Sequence, residues 1–576
     1  MKILGISLGH DTNFTLLEDG EVKEVREAER FYRQKRYKLQ CENLKDVSIA
    51  SGFQYINSQE LREYLSNLSK DWGLNFDAVA VQNQQRTDEY VNLCKLLDSL
   101  GFKYGSITSL NHHLCHAASV YFSSPFSSSL ILSYDGAGND GNTVLLKGVG
   151  NKLDYIKRLT TKFGNSYNNL GYIANLSPDV SGSTAGKAMG LTSYGSNVPK
   201  WESLLRSHIL SYEKKRPKIV QGLNDHGKAH SINWDHIFAI PEVARKMLMD
   251  GSSDFNDKDE TLHDLLNTAQ NAWTSCVLEL IAENKGSFDN ICVVGGCALN
   301  GITNYEIQKS KMFKGVHFIP NPSDCGLSMG AALYLYYCIP RDFEESPSFN
   351  GRKEFLSPYL GEEVFDKDKL PFLKSKYNSK KLDNPSKDIA KLISEDNIVG
   401  VIRGRYEIGP RALGNRSILC NSQNKNMRSI LNEKVKHREW YRPFAPVCVS
   451  ESASKYFTNT SEIPYMSVIC HTRDKYISKL PSVTHVDGSS RLQTVSKSQN
   501  SFLHDTLKEV EELTGFPIVL NTSFNPGGEP IVNYYEVALE MLDSTDLDYV
   551  LIEDELFYTL KNEDIEPIHI DSEGVH

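Results

Sequence analysis

Residues 2–25 read KILGISLGHDTNFTLLEDGEVKEV, and this stretch points to the fold class of the whole chain. An apolar strand runs to Gly9, a polar turn follows, and a second strand, FTLLE, leads into Asp19 and Gly20. An Asp-Gly pair between apolar runs is a strong signal for a β-hairpin. We therefore predict that the chain begins with a hairpin and that GHDTN lies in its polar turn.

The same strand-and-turn pattern occurs twice more. Residues 129–146, SLILSYDGAGNDGNTVLL, combine two strands with a glycine-rich turn, and residues 290–305, NICVVGGCALNGITNY, combine a buried strand, a Gly-Gly turn and a helix start. Helical patterns at 203–211 and 259–285 separate the units. Strands interleaved with helices predict an α/β architecture. Glycine turns that bring backbone N–H groups close to a phosphate fit the two-lobed ATPase fold of actin and hexokinase.

The composition is that of a globular protein with more than one domain. The chain has 576 residues, of which 40% are hydrophobic and 24% charged, so we expect two domains. No apolar run approaches the roughly 18 residues of a membrane helix, and Asp11 interrupts an N-terminal stretch too short for a signal peptide. Eleven cysteines without a CxxC pair indicate reduced, mostly buried thiols rather than a zinc site. We expect a cytoplasmic protein without a membrane partner.

A compositional shift predicts where the domains meet. Residues 339–387 are rich in Pro, Ser, Gly and charge, which is typical of a linker or an irregular connection. A helix at 386–395 and a strand at 397–403 are predicted to follow. We place the boundary near 362, with one domain at 1–362 and another at 363–576. The polar tail from residue 563 is expected to be frayed.

The charge distribution favours a small anionic ligand. The net charge is −10, yet the segment from Arg403 to Arg442 holds ten Lys or Arg and three Glu. An acidic chain disfavours stable nucleic-acid binding, whereas a basic island attracts a small anion. The island contains GPRALGNRS, residues 409–417, and fork-shaped arginines such as Arg411 bind phosphate bidentately. A solvated basic face is the alternative.

Later motifs add cations and amides in turns: LNEKVKHREWYRPFAP, HVDGSSRLQTV and LNTSFNPGGEP. The residues concerned are Lys436, Arg438, Arg442, Arg491, Asn521 and Ser523.

A second constellation suits a metal ion. In SLNHHLCHAASVYF, Asn111 is a plausible N-cap, so His112 and His116 lie one helical turn apart and could share a metal. Asp135 and Asp324 both follow apolar strands and precede glycine, and they are candidate carboxylate ligands. Two imidazoles and two carboxylates suit iron, manganese or zinc. A polar helix end with a satisfied buried histidine is the alternative from spacing alone.

Eight motifs in order resemble the ATP-dependent O-carbamoyltransferases, a family that includes the nodulation-factor, cephamycin and tobramycin carbamoyltransferases. The match runs nearly end to end. The motifs are ERFYRQK (29–35), NHHLCHAAS (111–119), GKAMGLTSYG (186–195), VVGGCALN (293–300), GPRALGNRS (409–417), LNEKVKHREWYRPFAP (431–446), HVDGSSRLQTV (485–495) and NTSFNPGGEPIV (521–532).

The resemblance implies a division of labour between the two domains. Residues 1–362 would form the actin/hexokinase-like two-lobed ATPase fold and carry out carbamoyl transfer. Residues 363–576 would form a YrdC-like twisted α/β domain with a concave pocket. There ATP, bound together with Mg²⁺, and carbamoyl phosphate would give carbamoyl-AMP, phosphate and pyrophosphate. An acceptor hydroxyl would then attack the carbamoyl carbon beside Fe(II) or another divalent metal in the first domain.

The resemblance assigns roles to particular residues. Arg411, Lys436, Arg442, Arg491, Asn521 and Ser523 would hold carbamoyl phosphate or the adenylate, with Arg416 behind them. His112, His116, Asp135 and Asp324 would bind the metal, and Gly136, Lys187, Gly295, Gly296 and Asn300 would hold a nucleotide in the first domain. His10, in GHDTN, would be the general base, since a histidine in reach of a hydroxyl accelerates its attack by roughly 10²–10⁴-fold. Arg36 stands where the family usually has a histidine facing the acceptor.

Other functions stay open on the sequence. A tRNA threonylcarbamoyl transferase would need a tRNA-binding surface, a small-molecule kinase would leave the second half of the chain unexplained, and a nucleotide sensor would need neither His10 nor a metal cluster. Pyrophosphate release that requires carbamoyl phosphate would distinguish an O-carbamoyltransferase from these three alternatives. The acceptor could be a sugar, an antibiotic, a toxin or a modified nucleoside, and a homodimer is one alternative for the oligomeric state.

Overall fold

The computed structural model describes residues 1–39, 58–82, 87–173, 176, 183–211, 258, 260–340, 347–353, 355–458 and 461–559. The predicted frayed tail from residue 563 lies outside these ranges. The helices are Ala28–Tyr32 (α1), Ser58–Trp72 (α2), Thr87–Ser99 (α3), His112–Tyr121 (α4), Phe163–Ile173 (α5), Ala185–Leu191 (α6), Pro199–Ser211 (α7), Glu260–Asn284 (α8), Gly301–Lys309 (α9), Leu327–Cys338 (α10), Leu370–Lys376 (α11), Pro385–Ser394 (α12), Met427–Ile430 (α13), Ala453–Tyr456 (α14), Asp474–Ile477 (α15), Ser501–Thr514 (α16) and Tyr535–Ser544 (α17).

The strands form three large sheets and one small one. They are Lys2–Ser7 (β1), Asn13–Glu18 (β2), Glu21–Glu27 (β3), Ala78–Gln82 (β4), Ser106–Leu110 (β5), Ser128–Gly138 (β6), Gly141–Val149 (β7), Lys152–Leu159 (β8), Asn290–Val294 (β9), Gly315–His317 (β10), Asn378–Lys381 (β11), Val399–Ile402 (β12), Arg416–Asn421 (β13), Ala445–Val449 (β14), Cys470–His471 (β15), Ser489–Ser490 (β16), Gln493–Val495 (β17), Ile518–Ser523 (β18), Tyr549–Ile552 (β19) and Glu555–Tyr558 (β20).

The first sheet contains the predicted hairpin. Its order is β3-β2-β1-β4-β5, and β1 pairs antiparallel with β2 in a register that sets Ser7 opposite Asn13. The Asp19-Gly20 turn leads into a third antiparallel strand, β3, which pairs with β2. Both turn residues have positive φ, at 49° and 81°, which Asp and Gly tolerate better than most residues. The hairpin is confirmed as part of a three-stranded meander.

The second sheet repeats the topology of the first. Its order is β10-β9-β6-β7-β8, with β6, β7 and β8 antiparallel and β9 and β10 parallel to β6. Helices α4 and α10 pack against each other beside the two sheets. Gly330 of α10 permits this approach, because a Cβ there would lie 1.8 Å from the carbonyl oxygen of Cys115 in α4. Two equivalent lobes joined by packed helices confirm the predicted two-lobed ATPase fold.

The third sheet builds the C-terminal part of the chain. Its eight strands run in the order β11-β20-β19-β12-β13-β18-β14-β17. Helices α12 and α16 pack together over one face, where Ile389, Leu503 and Leu507 join buried strand residues such as Val399 and Val519. Burying apolar surface on one face in this way is the main source of stability for such a layer. The predicted C-terminal α/β domain is confirmed.

The connection between the domains differs in part from the prediction. Helix α11 and strand β11 fall inside 339–387, so the second half of this segment has regular structure, and β11 joins the third sheet by pairing with β20. Its earlier part runs along the edge of β3, where Leu360 accepts a hydrogen bond from the Val25 N–H at 2.8 Å. Covering a free strand edge satisfies its backbone groups. The boundary at 362 stays a prediction.

Two expectations concern the chain as a whole. The ten cysteines that the structure describes form no disulfide, and seven of them are buried. Within the described residues, no helix has both the length and the apolar character to cross a bilayer.

Candidate active site

Four candidate metal ligands from separate parts of the chain lie together. His112 and His116 come from the N-terminal half of α4, Asp135 comes from β6, and Asp324 begins the turn before α10. Their ligand atoms all lie within 4.8 Å of one another. Nε2 of His116 is 3.3 Å from Asp135 Oδ2 and 3.4 Å from Asp324 Oδ1, and Nε2 of His112 is 3.7 Å from Asp324 Oδ1. The structure thus brings all four side chains to one point.

The state of the histidines fits a cation at that point. Nε2 of His112 and both ring nitrogens of His116 are buried without a hydrogen-bond partner among the described residues. Buried polar atoms are normally paired, and leaving one unpaired costs about 1–3 kcal/mol. The nitrogen and oxygen donors present suit iron, manganese or zinc.

His113 is the satisfied histidine of the HHLCH sequence. Its Nδ1 lies 2.7 Å from Ser133 Oγ, and its Nε2 lies 3.1 Å from the carbonyl oxygen of Gly141. Gly138 leaves room for these rings, since a Cβ there would lie 2.7 Å from His113. A buried histidine with all its hydrogen bonds satisfied was the alternative to a metal site. That description fits His113, which follows His112 in the sequence.

The carboxylates are held in their charged form. Burial alone would raise the pKa of Asp135, but contact with His116 outweighs it and holds this pKa far below its ordinary value. The N–H groups of Gly136 and Gly296 also donate to Asp135, at 2.6 and 2.8 Å. The pKa of Asp324 is lowered as well, where His112 and His116 again outweigh burial. Ionised carboxylates are the form that binds metal.

His10 lies beside this cluster in the turn between β1 and β2. Its Nδ1 is 2.9 Å from Asp11 Oδ2 and its Nε2 is 3.3 Å from Asp324 Oδ2. The hydrogen bond to Asp11, opposed by partial burial and helped by the charge of Asp324, raises the pKa of His10 to about 9. The side chain is 57% exposed and lines the cavity described below. It is therefore accessible to a ligand.

The predicted nucleotide residues behave in different ways. Gly136, Lys187, Gly296 and Asn300 line the cavity, whereas Gly295 does not. Gly295 has φ of 95°, and a Cβ there would lie 2.2 Å from the Tyr134 carbonyl, so its role is close packing. The expectation of free N–H groups in these turns also needs correction, because Gly136 and Gly296 donate to Asp135.

The remaining two nucleotide candidates have protein partners. Lys187 forms an ion pair with Glu439 of the C-terminal domain. Asn300 caps α9 by accepting from the Thr303 N–H at 3.1 Å and donates to Gln270 at 3.0 Å. Their side chains still face the cavity, so a nucleotide there would have to compete with these contacts.

Cations converge at the C-terminal end of the same cavity. Arg411, Arg438, Arg442 and Arg491 all line it. Burial and the positive charge of Arg442 lower the pKa of Arg411 to about 10 and that of Arg438 to about 9. Burial and three neighbouring arginines lower the pKa of Arg491 well below its ordinary value, and its Nε is buried without a hydrogen-bond partner in the described chain. Like charges forced together in this way favour binding of an anion.

Lys436 and Ser523 lie against each other at one wall of this pocket. The Lys436 ammonium donates to the Ser523 carbonyl and to Asn525 Oδ1, the latter at 2.8 Å. The Ser523 hydroxyl also donates to Asn525 Oδ1, at 2.6 Å. Burial, then the charges of Arg438 and Lys35, lower the pKa of Lys436 well below its ordinary value.

Asn521 presents an unsatisfied oxygen at the same end of the cavity. Its Nδ2 donates to Gln493 Oε1 at 2.8 Å and to the Ala412 carbonyl at 3.2 Å. Its Oδ1 is buried without a hydrogen-bond partner in the described chain. The fixed amide therefore leaves one acceptor available to a ligand that can donate.

The two arginines of GPRALGNRS have different environments. Arg411 lines the cavity, while Arg416 is fully buried behind it. Arg416 donates to Asn533 Oδ1 at 2.9 Å, to the Gly404 carbonyl at 2.8 Å and to the Arg403 carbonyl at 2.9 Å. These contacts hold the loop, and a position behind the ligand-binding residues stays a prediction for Arg416.

Three residues that shape this pocket are not among those that the resemblance assigned to the ligand: Gln493, Asn525 and Arg438, of which only Arg438 was singled out as a cation in a turn. All three lie inside the quoted motifs, which was the available signal. Their roles depend on contacts with residues far along the chain, such as Gln493 with Asn521.

One cavity of about 1380 Å³ joins the two ends. His10, Asp135 and Asp324 line one end, and Arg411 and Arg491 line the other. A cavity of this size accommodates ligands larger than a single drug-sized molecule. The cationic pocket and the cluster of candidate metal ligands therefore share one space.

The fold is a two-lobed ATPase-type part followed by a C-terminal α/β sheet, and one cavity is lined by residues of both. Residues 2–333 match the family model described as the carbamoyltransferase N-terminus, and residues 390–559 match the one described as the carbamoyltransferase C-terminus. The chain belongs to the carbamoyltransferase family.

Several known proteins are similar over most of the chain. An uncharacterised protein of Synechocystis, sll1178, is 29% identical, with 96% of this chain and 95% of that protein covered. The nodulation protein NolNO of Sinorhizobium fredii is 31% identical, with 77% of this chain and 63% of that protein covered. The solved structure of HypF from T. kodakarensis is 13% identical with a TM-score of 0.29, covering 58% of this chain and 47% of that chain.

Proposed function

We propose that the protein is an O-carbamoyltransferase with two half-reactions at the two ends of the cavity. Carbamoyl-AMP would be made from ATP and carbamoyl phosphate in the cationic pocket, and its carbamoyl group would pass to an acceptor hydroxyl beside the metal-ligand cluster. The single observation that carries this proposal is the shared cavity, lined at one end by Arg411 and Arg491 and at the other by His10 and Asp324. Family membership supports carbamoyl transfer itself.

In the first half-reaction, carbamoyl phosphate and water give carbamate and phosphate. A carbamate oxygen then attacks the α-phosphorus of ATP, and the bond to pyrophosphate breaks. Arg411, Arg442 and Arg491 would bind the phosphoryl oxygens, because guanidinium groups match their geometry and charge. Donors fixed in advance stabilise the developing negative charge without reorganising, and such stabilisation usually contributes most to the rate enhancement.

In the second half-reaction, the acceptor oxygen bonds to the carbamoyl carbon as the bond from that carbon to the AMP oxygen breaks. His10 would take the hydroxyl proton at Nε2, and AMP would leave as its anion. His112, His116, Asp135 and Asp324 would hold Fe(II) or another divalent ion, which when bound would offset charge on the adenylate phosphate. A cation on Asp324 would also weaken that carboxylate's pull on the His10 proton, which favours the neutral imidazole that a base requires.

A coupled assay tests the proposal. The wild-type protein, given ATP, Mg²⁺ and carbamoyl phosphate, should release pyrophosphate only when carbamoyl phosphate is present. Mass spectrometry across candidate alcohols should then find one product with the mass gain of a carbamate. Formation of ADP in place of pyrophosphate would support a small-molecule kinase and contradict the proposal.

A further inference from the structure

Arg30, in the ERFYRQK motif, is enclosed between the two domains. Its side chain is 0% exposed, and its guanidinium donates to Glu27 Oε2 at 3.0 Å within the N-terminal domain. It also donates to the carbonyl oxygens of Gly409 at 2.8 Å, Glu407 at 3.2 Å and Ile531 at 3.3 Å in the C-terminal domain. A buried guanidinium needs such partners, because removing one leaves an uncompensated charge.

Gly409 is held on both sides of its backbone. The Arg30 guanidinium donates to the Gly409 carbonyl oxygen, and the Gly409 N–H donates to Glu27 Oε1 at 2.6 Å. Its φ is 89°, and a Cβ there would lie 2.3 Å from the carbonyl oxygen of Pro320. The Glu27–Arg30 pair therefore fixes the GPRALGNRS loop at a point where it runs directly against the N-terminal domain.

Arg411 lies two residues after this fixed point. A second carboxylate, Glu407, shapes the loop from inside by accepting the N–H groups of Leu413 at 2.5 Å and Arg416 at 3.2 Å. The loop that carries Arg411 thus depends on charged groups that do not line the cavity.

Helix α1 also touches the loop that carries His10. The N–H of Ala28, in this five-residue helix, donates to the Thr12 carbonyl at 2.9 Å. Glu29 accepts the Arg36 N–H at 2.9 Å. A single short helix and its flanking residue Glu27 are therefore bonded to the loops at both ends of the cavity.

We infer that Glu27 and Arg30 are positioning residues for adenylate formation. Although they belong to the N-terminal domain, they fix the position of Arg411 in the cationic pocket of the C-terminal domain. The inference rests on the proposed function and adds that the first half-reaction depends on the other domain. A displaced guanidinium no longer meets a phosphoryl group with both arms of its fork, which weakens binding of the phosphate.

The central experiment is a double-mutant cycle with Arg30→Lys and Arg411→Lys. Arg30→Lys keeps the charge but loses the fork that binds several carbonyls at once. We expect it to raise the KM for carbamoyl phosphate about tenfold with kcat nearly unchanged, and to add nothing further in the Arg411→Lys background. Arg33→Lys is the matched control: Arg33 pairs with Glu529 across the same domains at 2.9 Å, but it is 41% exposed, and the KM of this variant should stay at the wild-type value.

Three results would overturn the inference. These are an unchanged KM in Arg30→Lys, an equal rise in Arg33→Lys, and effects that multiply in the double variant. A merely structural role would lower the melting temperature and leave the KM alone. If Arg30→Lys does not fold, Glu27→Gln replaces it in the double-mutant cycle with Arg411→Lys. The same changes in the KM for carbamoyl phosphate then support or contradict the inference.

A binding measurement separates this inference from the proposed function. Calorimetric titration with inorganic phosphate needs no turnover, and the Kd should rise about tenfold in Arg30→Lys but not in Arg33→Lys. If the wild-type protein binds phosphate but releases no pyrophosphate, the proposed function is wrong. The phosphate Kd values of the variants would then still decide whether Arg30 positions the phosphate-binding residues. Equal phosphate affinity in all three proteins would end the positioning claim.

Discussion

At the N-terminal end of the cavity, Asp135 and Asp324 face imidazole nitrogens that have no hydrogen-bond partner in the described chain. At the C-terminal end, burial and then the charge of Arg411 lower the pKa of Arg491, and the Arg491 Nε likewise has no partner among the described residues. The first end therefore suits a cation and the second an anion. The contrast teaches that unsatisfied buried groups define a site as clearly as its contacts do.

The largest expected effect comes from removing a metal ligand. His116→Ala should lose the bound metal and reduce carbamoyl transfer by about 10⁴-fold, because the charge that offsets the adenylate phosphate is gone. Pyrophosphate release at the other end should continue. Metal analysis and the two activities measured side by side check this. Full metal occupancy in the variant would contradict the ligand assignment, and His113→Gln is the neighbouring control expected to retain metal.

Removing an arginine of the cationic pocket should impair pyrophosphate release and leave the metal in place, the reverse of removing a metal ligand. Arg491→Ala should reduce pyrophosphate release by about 10³-fold, since a preorganised donor to the developing charge is lost. The metal content should stay at the wild-type level. Pyrophosphate release at the wild-type rate would show that the cationic end is not the adenylate-forming site.

Replacing His10, the proposed proton acceptor, should have a smaller effect than either of these substitutions. His10→Gln should slow carbamoyl transfer by about 10²-fold and leave pyrophosphate release unchanged. Only the neutral imidazole accepts a proton, so wild-type transfer should rise with pH, and this rise should disappear in the variant. A pH profile of single-turnover transfer from preformed adenylate measures it. An unchanged profile in the variant would remove His10 from the proton path.

The smallest expected effect concerns the ion pair that joins the two domains across the cavity. Glu439 pairs with Lys187 and lies 4.0 Å from Arg442, so it competes with an incoming anion. Glu439→Gln should lower the KM for carbamoyl phosphate by about threefold, as expected for removing one partly solvated charge. Glu279→Gln, which breaks an exposed pair with Arg206, is the control. A raised KM would show that Glu439 helps binding.

The four candidate metal ligands could be selected from the sequence for a physical reason, and the structure brings their side chains together. His112 and His116 are local to one helix turn, and Asp135 and Asp324 stand at the ends of apolar stretches, where neighbouring elements of an α/β fold meet. The hairpin at the start of the chain could be predicted because its strand and turn signals are adjacent in sequence.

What the sequence missed depends on distant contacts. Strand β11, in the segment predicted as an irregular connection, owes its structure to pairing with β20. The roles of Asn525 and Gln493 come from hydrogen bonds to residues many positions away. The N–H groups of Gly136 and Gly296 are taken by Asp135, which no local pattern reveals.

Confinement in the shared cavity amounts to a high local concentration. One molecule held within about 1380 Å³ is present at about 1 M. The adenylate of the proposed function, once released inside it, would meet a bound acceptor at that effective molarity. The partition between the acceptor and bulk water would then be decided by geometry within the protein, before diffusion outward begins.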